Sequence, residues 1–162
     1  MPSSIFFPDP SSLPKIQESI EIDSSRDVLW DVVSDLNSEP EFWHGTKSVK
    51  EISRQGNVTD REIVQNFGNH TISQKVILKP KDEIEVRYLK GVTEGVKILK
   101  LESTSEDKQR LTAYWDIRFP GIYSLMSPVI TNHVRKGTTA ALQRIKDVSE
   151  SLQVKKAEQK KS

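Results

Sequence analysis

Three histidines, His44, His70 and His133, are the side chains best suited to move protons near neutral pH. None pairs with another at H-x-H or H-x-x-x-H spacing. The chain has no cysteine, so a zinc site would need two or three of these histidines and a carboxylate brought together from separate segments. No metal and no cofactor are expected. The missing cysteine also excludes a thiol nucleophile and a disulfide framework. No serine stands in Gly-x-Ser-x-Gly. Gly91-x-x-x-Gly95 lacks the Lys-Ser/Thr that completes a phosphate loop. No acid pair can be singled out among 23 Asp and Glu for glycoside chemistry. Gln65, Asn66, Gln74, Arg118 and His133 remain as polar groups that a pocket could use. No residue is assigned a catalytic role, and the balance favours a non-catalytic protein.

The aromatic and apolar residues carry more information, and their spacing defines the elements that position them. Residues 1–14 hold Pro2, Pro8, Pro10 and Pro14 and read as a flexible lead-in. A single domain is expected over 15–153. Ile16–Ile22 reads as a strand. Val28, Leu29, Val32, Val33 and Leu36 then recur at helical spacing, with Ser24 and Asp27 resembling a capping box. Glu39-Pro-Glu-Phe-Trp43 suits a short helix with Pro40 in its first turn. Six strands follow, over 46–55, 58–67, 70–79, 83–90, 96–104 and 109–119. Gly56-Asn57 is the hairpin signal between the first two of these. In the last strand Leu111, Ala113, Trp115, Ile117 and Phe119 share one face. Arg61, Ile63, Gln65 and Phe67 are assigned inward on theirs. A long helix is expected over 127–153, with Ile130, Val134, Ala141, Leu142, Ile145, Val148 and Leu152 as its buried stripe. Gly137 in its middle costs roughly 1 kcal/mol against alanine. Close approach or spare cavity volume should offset that cost.

Composition bounds the function classes. The chain has 162 residues, 35% of them apolar, and a net charge of +1. That total divides into a +3 tail over the last eight residues and a balance of −1 over 15–154. A body of that charge is no specific nucleic-acid binder by bulk electrostatics. The Lys-rich tail, 154–162, is a candidate for weak contact with an acidic surface. No apolar run reaches the ~18 residues of a transmembrane segment. The first ten residues lack the basic and apolar regions of a secretory signal, so a cytoplasmic location is expected.

One strand, two short helices, six strands and a long helix imply an α+β domain with a curved seven-stranded antiparallel sheet. At this point the chain resembles the START-like or helix-grip superfamily. That group includes the polyketide cyclase/dehydrase, coenzyme-Q-binding and birch-pollen-allergen families and is often called SRPBCC. Ile20-Glu-Ile22 followed by Ser25–Asp35 is similar to its opening strand and helix. Glu39–Trp43 with Lys47–Val49, Phe119-Pro-Gly121, and 127–146 with Gly137 are similar to its short helix, last-strand exit and closing helix. The resemblance covers about residues 15–152 and implies a sheet wrapped around the long helix with a cavity between them. Trp43, Phe67, Tyr88, Trp115, Ile117, Met126, Ile130, His133, Val134, Gly137 and Ala141 would line that cavity. The implied partner is a hydrophobic small molecule such as a lipid, isoprenoid quinone or polyketide-like compound. The alternatives are a polyketide cyclase or dehydratase, or a ribosome or chaperone interaction protein of the same superfamily. The loops holding Gly91, Gly95 and Gly121 are expected to form a mobile rim.

Overall fold

In the computed structural model, residues 15–90, 93–118 and 127–161 are described. The elements are β1 (Ile16–Ile22), α1 (Arg26–Val33), a short 3-10 turn (Leu36–Ser38), α2 (Glu39–Phe42), β2 (Thr46–Gln55), β3 (Val58–Gln65), β4 (Thr71–Lys79), β5 (Glu83–Lys90), β6 (Glu94–Ser105), β7 (Lys108–Arg118) and α3 (Ser127–Lys161). All strand pairs are antiparallel, in the order β1-β7-β6-β5-β4-β3-β2. The fold is therefore the expected α+β sheet with a long C-terminal helix.

Turn chemistry sets the register. Gly56 takes φ +60° in the β2–β3 hairpin, and Gly68 (φ +70°) and Asn69 (φ 51°) reverse the chain between β3 and β4. Register shifts in the β2–β3, β4–β5 and β6–β7 ladders add local bends. The inward residues form rows across the bent sheet. One row runs Arg61, Gln74, Tyr88, Gly95, Ile117, and a neighbouring one holds Val76, Val86, Lys97 and Trp115. Ile72, Ile84, Leu101 and Leu111 are almost fully buried on this face. They meet Leu29 of α1 and Leu142 and Ile145 of α3 in one core.

Several boundaries differ from the expectation. The cap of α1 is Ser25, not Ser24. Ser25 has extended backbone, and its hydroxyl accepts from the Val28 amide at 3.2 Å. Ser24 is buried and donates to the Ser25 carbonyl. Gly95 lies within β6, paired with Tyr88 and Ile117, rather than in a rim loop. At its φ of +127° a Cβ would stand 2.1 Å from the Asp116 carbonyl oxygen, so only glycine fits. Phe67 falls beyond the end of β3. Residues 91, 92 and 119–126, which include Gly91, Gly121, Phe119 and Met126, lie outside the described residues.

The long helix runs to Lys161, so the basic segment continues the helix past 153. Its inward stripe also turns. Thr138, Ala141, Leu142, Ile145 and Ser149 are buried, whereas Val148 and Leu152 are exposed. A helix advances 100° per residue, so the inward position after Ile145 is 149, not 148. Polar contacts fasten the later turns. Glu150 accepts from the Asp23 amide at 2.8 Å, and Gln153 accepts from the Ser25 amide at 2.9 Å. Lys146 donates to the Glu21 carbonyl, and Arg144 to the Phe42 carbonyl, both at 2.8 Å. These bonds hold α3 against β1, α1 and α2. The earlier half of the helix faces the cavity described below.

Gly137 sits in that half. A Cβ built on it meets nothing within 4 Å. Its cost to the helix therefore coincides with open volume, not with close approach. Gly137→Ala is expected to stabilise the protein by about 0.5–1 kcal/mol in urea unfolding, because the helix gains and nothing is displaced. A neutral or destabilising result would mean that the space beside residue 137 is already filled.

Candidate functional site

A cavity of about 600 Å3 lies between the concave sheet face and the first half of α3. Its wall comes from Trp43 after α2, Ile63 on β3, Tyr88 on β5, Lys97 on β6, Trp115 and Ile117 on β7, and Ile130, Val134, Gly137 and Thr138 on α3. Strand alternation puts the sheet residues inward, and i, i+3, i+4, i+7 spacing puts the helix residues opposite them. The mouth is apolar and open. Phe67 and Val129 line it while remaining 55% and 68% exposed. His44, Thr46, Gln65, Asn66, Thr93, His133 and Arg144 complete the polar part of the lining. The side-chain amide of Asn66 donates to the His44 carbonyl, and its backbone amide donates to the Gly45 carbonyl at 2.9 Å. The two bonds hold the Trp43–Thr46 loop beside the end of β3.

Trp43, Phe67, Tyr88, Trp115, Ile117, Ile130, His133, Val134 and Gly137 all stand on the wall or mouth of this cavity. Ala141 does not: it is fully buried in the core, and Ala140 lines the cavity instead. Met126 lies outside the described residues. Arg118 is exposed and paired with Glu94 at 3.3 Å, away from the cavity. Gln74 is buried beneath the wall.

Of the residues that carry the strongest chemistry at this site, the sequence points to Gln74 as a polar group a pocket could use and to Arg61 as inward-facing, but not to Glu39, Thr46 or Lys97. Five polar residues, Glu39, Thr46, Arg61, Gln74 and Lys97, are packed in or under the aromatic wall. Arg61, with a side chain 1% exposed, donates from Nη2 to Glu39 Oε1 at 2.7 Å. From Nε it donates to Gln74 Oε1 at 2.8 Å. Thr46 donates its hydroxyl proton to the other Glu39 oxygen at 3.1 Å. Lys97, 3% exposed, places its ammonium 3.9 Å from the Trp43 ring centroid and 5.0 Å from that of Trp115. The two indoles meet edge to face at 6.0 Å, and Tyr88 lies 6.1 Å from Trp115.

Burial dominates the electrostatics. It pulls the Lys97 ammonium down to about 8; Glu39 resists that pull and Arg61 adds to it. Burial alone would raise Glu39. The charges of Arg61 and Lys97, with the hydrogen bonds from Arg61 and Thr46, hold it below the usual carboxylate range instead. The Tyr88 phenol is pushed far up by burial and by the Glu39 charge. It stays neutral under ordinary conditions.

The signal for Lys97 was available. It alternates in phase with Leu99 and Leu101, both buried on the inward face of β6. Glu39 carried no such signal, because a four-residue helix has no readable inward side.

Similar architectures occur in solved structures of low sequence identity. The Zhui aromatase/cyclase from Streptomyces sp. R1128 superposes with a TM-score of 0.71 at 13% identity, covering 85% of this chain and 93% of its own. A START superfamily protein from Mycobacterium smegmatis gives 0.65 at 12% identity, covering 83% and 98%. XoxI from Bacillus cereus gives 0.66 at 14%, covering 86% and 98%. At such identities the likeness concerns the fold. No curated protein sequence matches the chain. The model for polyketide cyclase/dehydrase and lipid transport proteins matches residues 22–118, from the end of β1 to the end of β7 and so across most of the cavity's sheet wall. With that match and this helix-grip architecture, the chain belongs to the polyketide cyclase/dehydrase and lipid transport family of the START-like superfamily.

Proposed function

We propose that this protein binds a hydrophobic small molecule, of the lipid, isoprenoid quinone or polyketide-like class, in the cavity between sheet and α3, and carries or presents it. The observation that carries this reading is the cavity itself. About 600 Å3 is enclosed by Trp43, Tyr88, Trp115 and the apolar stripe of α3, and it opens past Phe67 and Val129. A volume of that size with apolar walls and few polar groups fits a small-molecule site. Exposed apolar residues at its mouth would meet a ligand on entry. The family's description includes both lipid transport and cyclase chemistry. Among the described residues no carboxylate lines the cavity, so the pair of His133 and an acid that a cyclase would use is not assembled there.

The test uses the open space at Gly137. Wild-type protein, purified gently and examined by native mass spectrometry, is expected to carry a bound small molecule or to show a thermal shift with members of a lipid and quinone panel. Gly137→Leu should fold, since leucine favours the helix by roughly 1 kcal/mol over glycine. Its side chain enters the cavity, so the shifts should be lost. A wild-type protein with no co-purified ligand and no response to the panel would defeat this reading.

A further inference from the structure

The hydrogen-bond inventory around Lys97 is one-sided. Glu39 uses both oxygens, on Arg61 and on Thr46, and Gln74 uses its oxygen on Arg61. The buried side-chain groups without a hydrogen bond of ordinary geometry here are Arg61 Nη1, Trp115 Nε1 and Gln74 Nε2, the last beside the Tyr88 hydroxyl. All three are donors. Lys97 adds a fourth donor group: among the described residues its ammonium meets only the faces of Trp43 and Trp115. Charge tells the same story. Glu39 is one anion against the two cations Arg61 and Lys97, so the cluster carries a surplus positive charge in apolar surroundings. A buried charge is costly unless it is paired and hydrogen-bonded. Of these groups, Lys97 and Trp115 themselves form part of the cavity wall, directly opposite each other in the β6–β7 ladder.

We propose that the ligand of this cavity is an amphiphile with one anionic headgroup of the carboxylate class, seated against the Lys97 ammonium, with its apolar body extending toward Phe67 and Val129. The proposal rests on the reading of the cavity as a ligand site and specifies the chemistry of its occupant. A carboxylate supplies acceptors to the Lys97 ammonium and the Trp115 indole N–H, the donors of this group that stand on the wall, and balances the surplus charge. A charge-assisted bond of this kind, shielded between two indoles, is stronger than its neutral counterpart. The second cation of the wall, Arg144, already donates to the Phe42 carbonyl at 2.8 Å.

Calorimetric titration with two probe pairs tests this: dodecanoate against dodecanol, and naphthoate against naphthylmethanol. In the wild-type protein the acid of each pair that binds should bind roughly tenfold to a hundredfold tighter than its alcohol. In Lys97→Met the preference should fall to less than about threefold, while the alcohol's affinity is retained. Arg118→Met, which removes an exposed cation outside the cavity lining, should keep the wild-type preference. Equal affinity of acid and alcohol in the wild type overturns the proposal and leaves the cavity reading intact. So does a preference that persists in Lys97→Met or vanishes in Arg118→Met. Failure of all four probes to bind counts against both readings.

Discussion

Lys97→Met is expected to make the protein more stable near neutral pH, and the gain should fade as the solution becomes alkaline. In the unfolded chain this amine keeps its proton up to its ordinary value of 10.5, whereas in the folded protein it releases it at about 8. Between those values the unfolded state binds more protons, so wild-type stability from this group rises with pH across that window. Below about 8 the charged form is carried in both states, and its burial costs on the order of 3 kcal/mol. The contacts with Trp43 and Trp115 offset ~1–2 kcal/mol of that penalty. Methionine fills similar space without the charge. The net expectation is a stabilisation of about 1–3 kcal/mol at about pH 7, nearly gone above about pH 11. Urea unfolding of both proteins at the two pH values checks it, with other titrating groups cancelling in the difference. A gap between the variants that does not change with pH would show that Lys97 is not buried as a charge.

Glu39→Gln should have the opposite sign and a larger size. It leaves Arg61 and Lys97 facing each other with no anion between them. Removing one partner of a buried ion pair costs about 3–5 kcal/mol, because the other charge is stranded. Arg61→Met strands Glu39 and Gln74 and should cost a comparable amount. The double variant Glu39→Gln with Arg61→Met should be clearly more stable than the two single losses predict, since no uncompensated pair member remains. Acid adds a second readout. The carboxyl of Glu39 sits below its ordinary value of 4.5, so its stabilisation is present above that pH and is lost as the pH falls through the folded value. Glu39→Gln should lack this part of the acid sensitivity. Additive single effects, or an unchanged acid limb, would mean that the pair is solvated and contributes little.

The two predictions also separate the cluster's internal balance from its ligand. Removing Lys97 relieves a surplus charge, whereas removing Glu39 increases it. If a carboxylate ligand occupies the cavity during the measurement, it stabilises the wild type and narrows the gain from Lys97→Met, so both proteins should be stripped of ligand first.

Much of the architecture was legible because it depends on local periodicity. The alternation of Leu111, Ala113, Trp115 and Ile117, the turn at Gly56-Asn57 and the helical spacing of Val28, Leu29, Val32 and Val33 each specify an element and its inward face. The order of those elements then restricts the topology to a sheet closed by one long helix. That Trp43, Tyr88, Trp115, Ile130 and Val134 surround a common space was implied by the family resemblance and not by these patterns; all five line the cavity. Gly137 was legible as an anomaly, and the open volume beside it is the reason for it. Where the pattern was extended too far it failed. Val148 and Leu152 continued an apolar count, but the helix had rotated Ser149 and Gln153 toward β1 and α1.

The sequence by itself determined the class of the domain, the lack of any cysteine and the near-neutral charge of residues 15–154, because composition and short-range periodicity need no partner segment to be read. The tertiary structure alone decided that Glu39, Arg61, Gln74 and Lys97 meet. They come from a short helix and three strands, and their interaction depends on the registers Arg61 opposite Gln74 and Lys97 opposite Trp115. A charged residue in a linear pattern reads as solvated by default. Only burial by distant segments turns these four into a low-dielectric cluster with unmet donors beside the cavity.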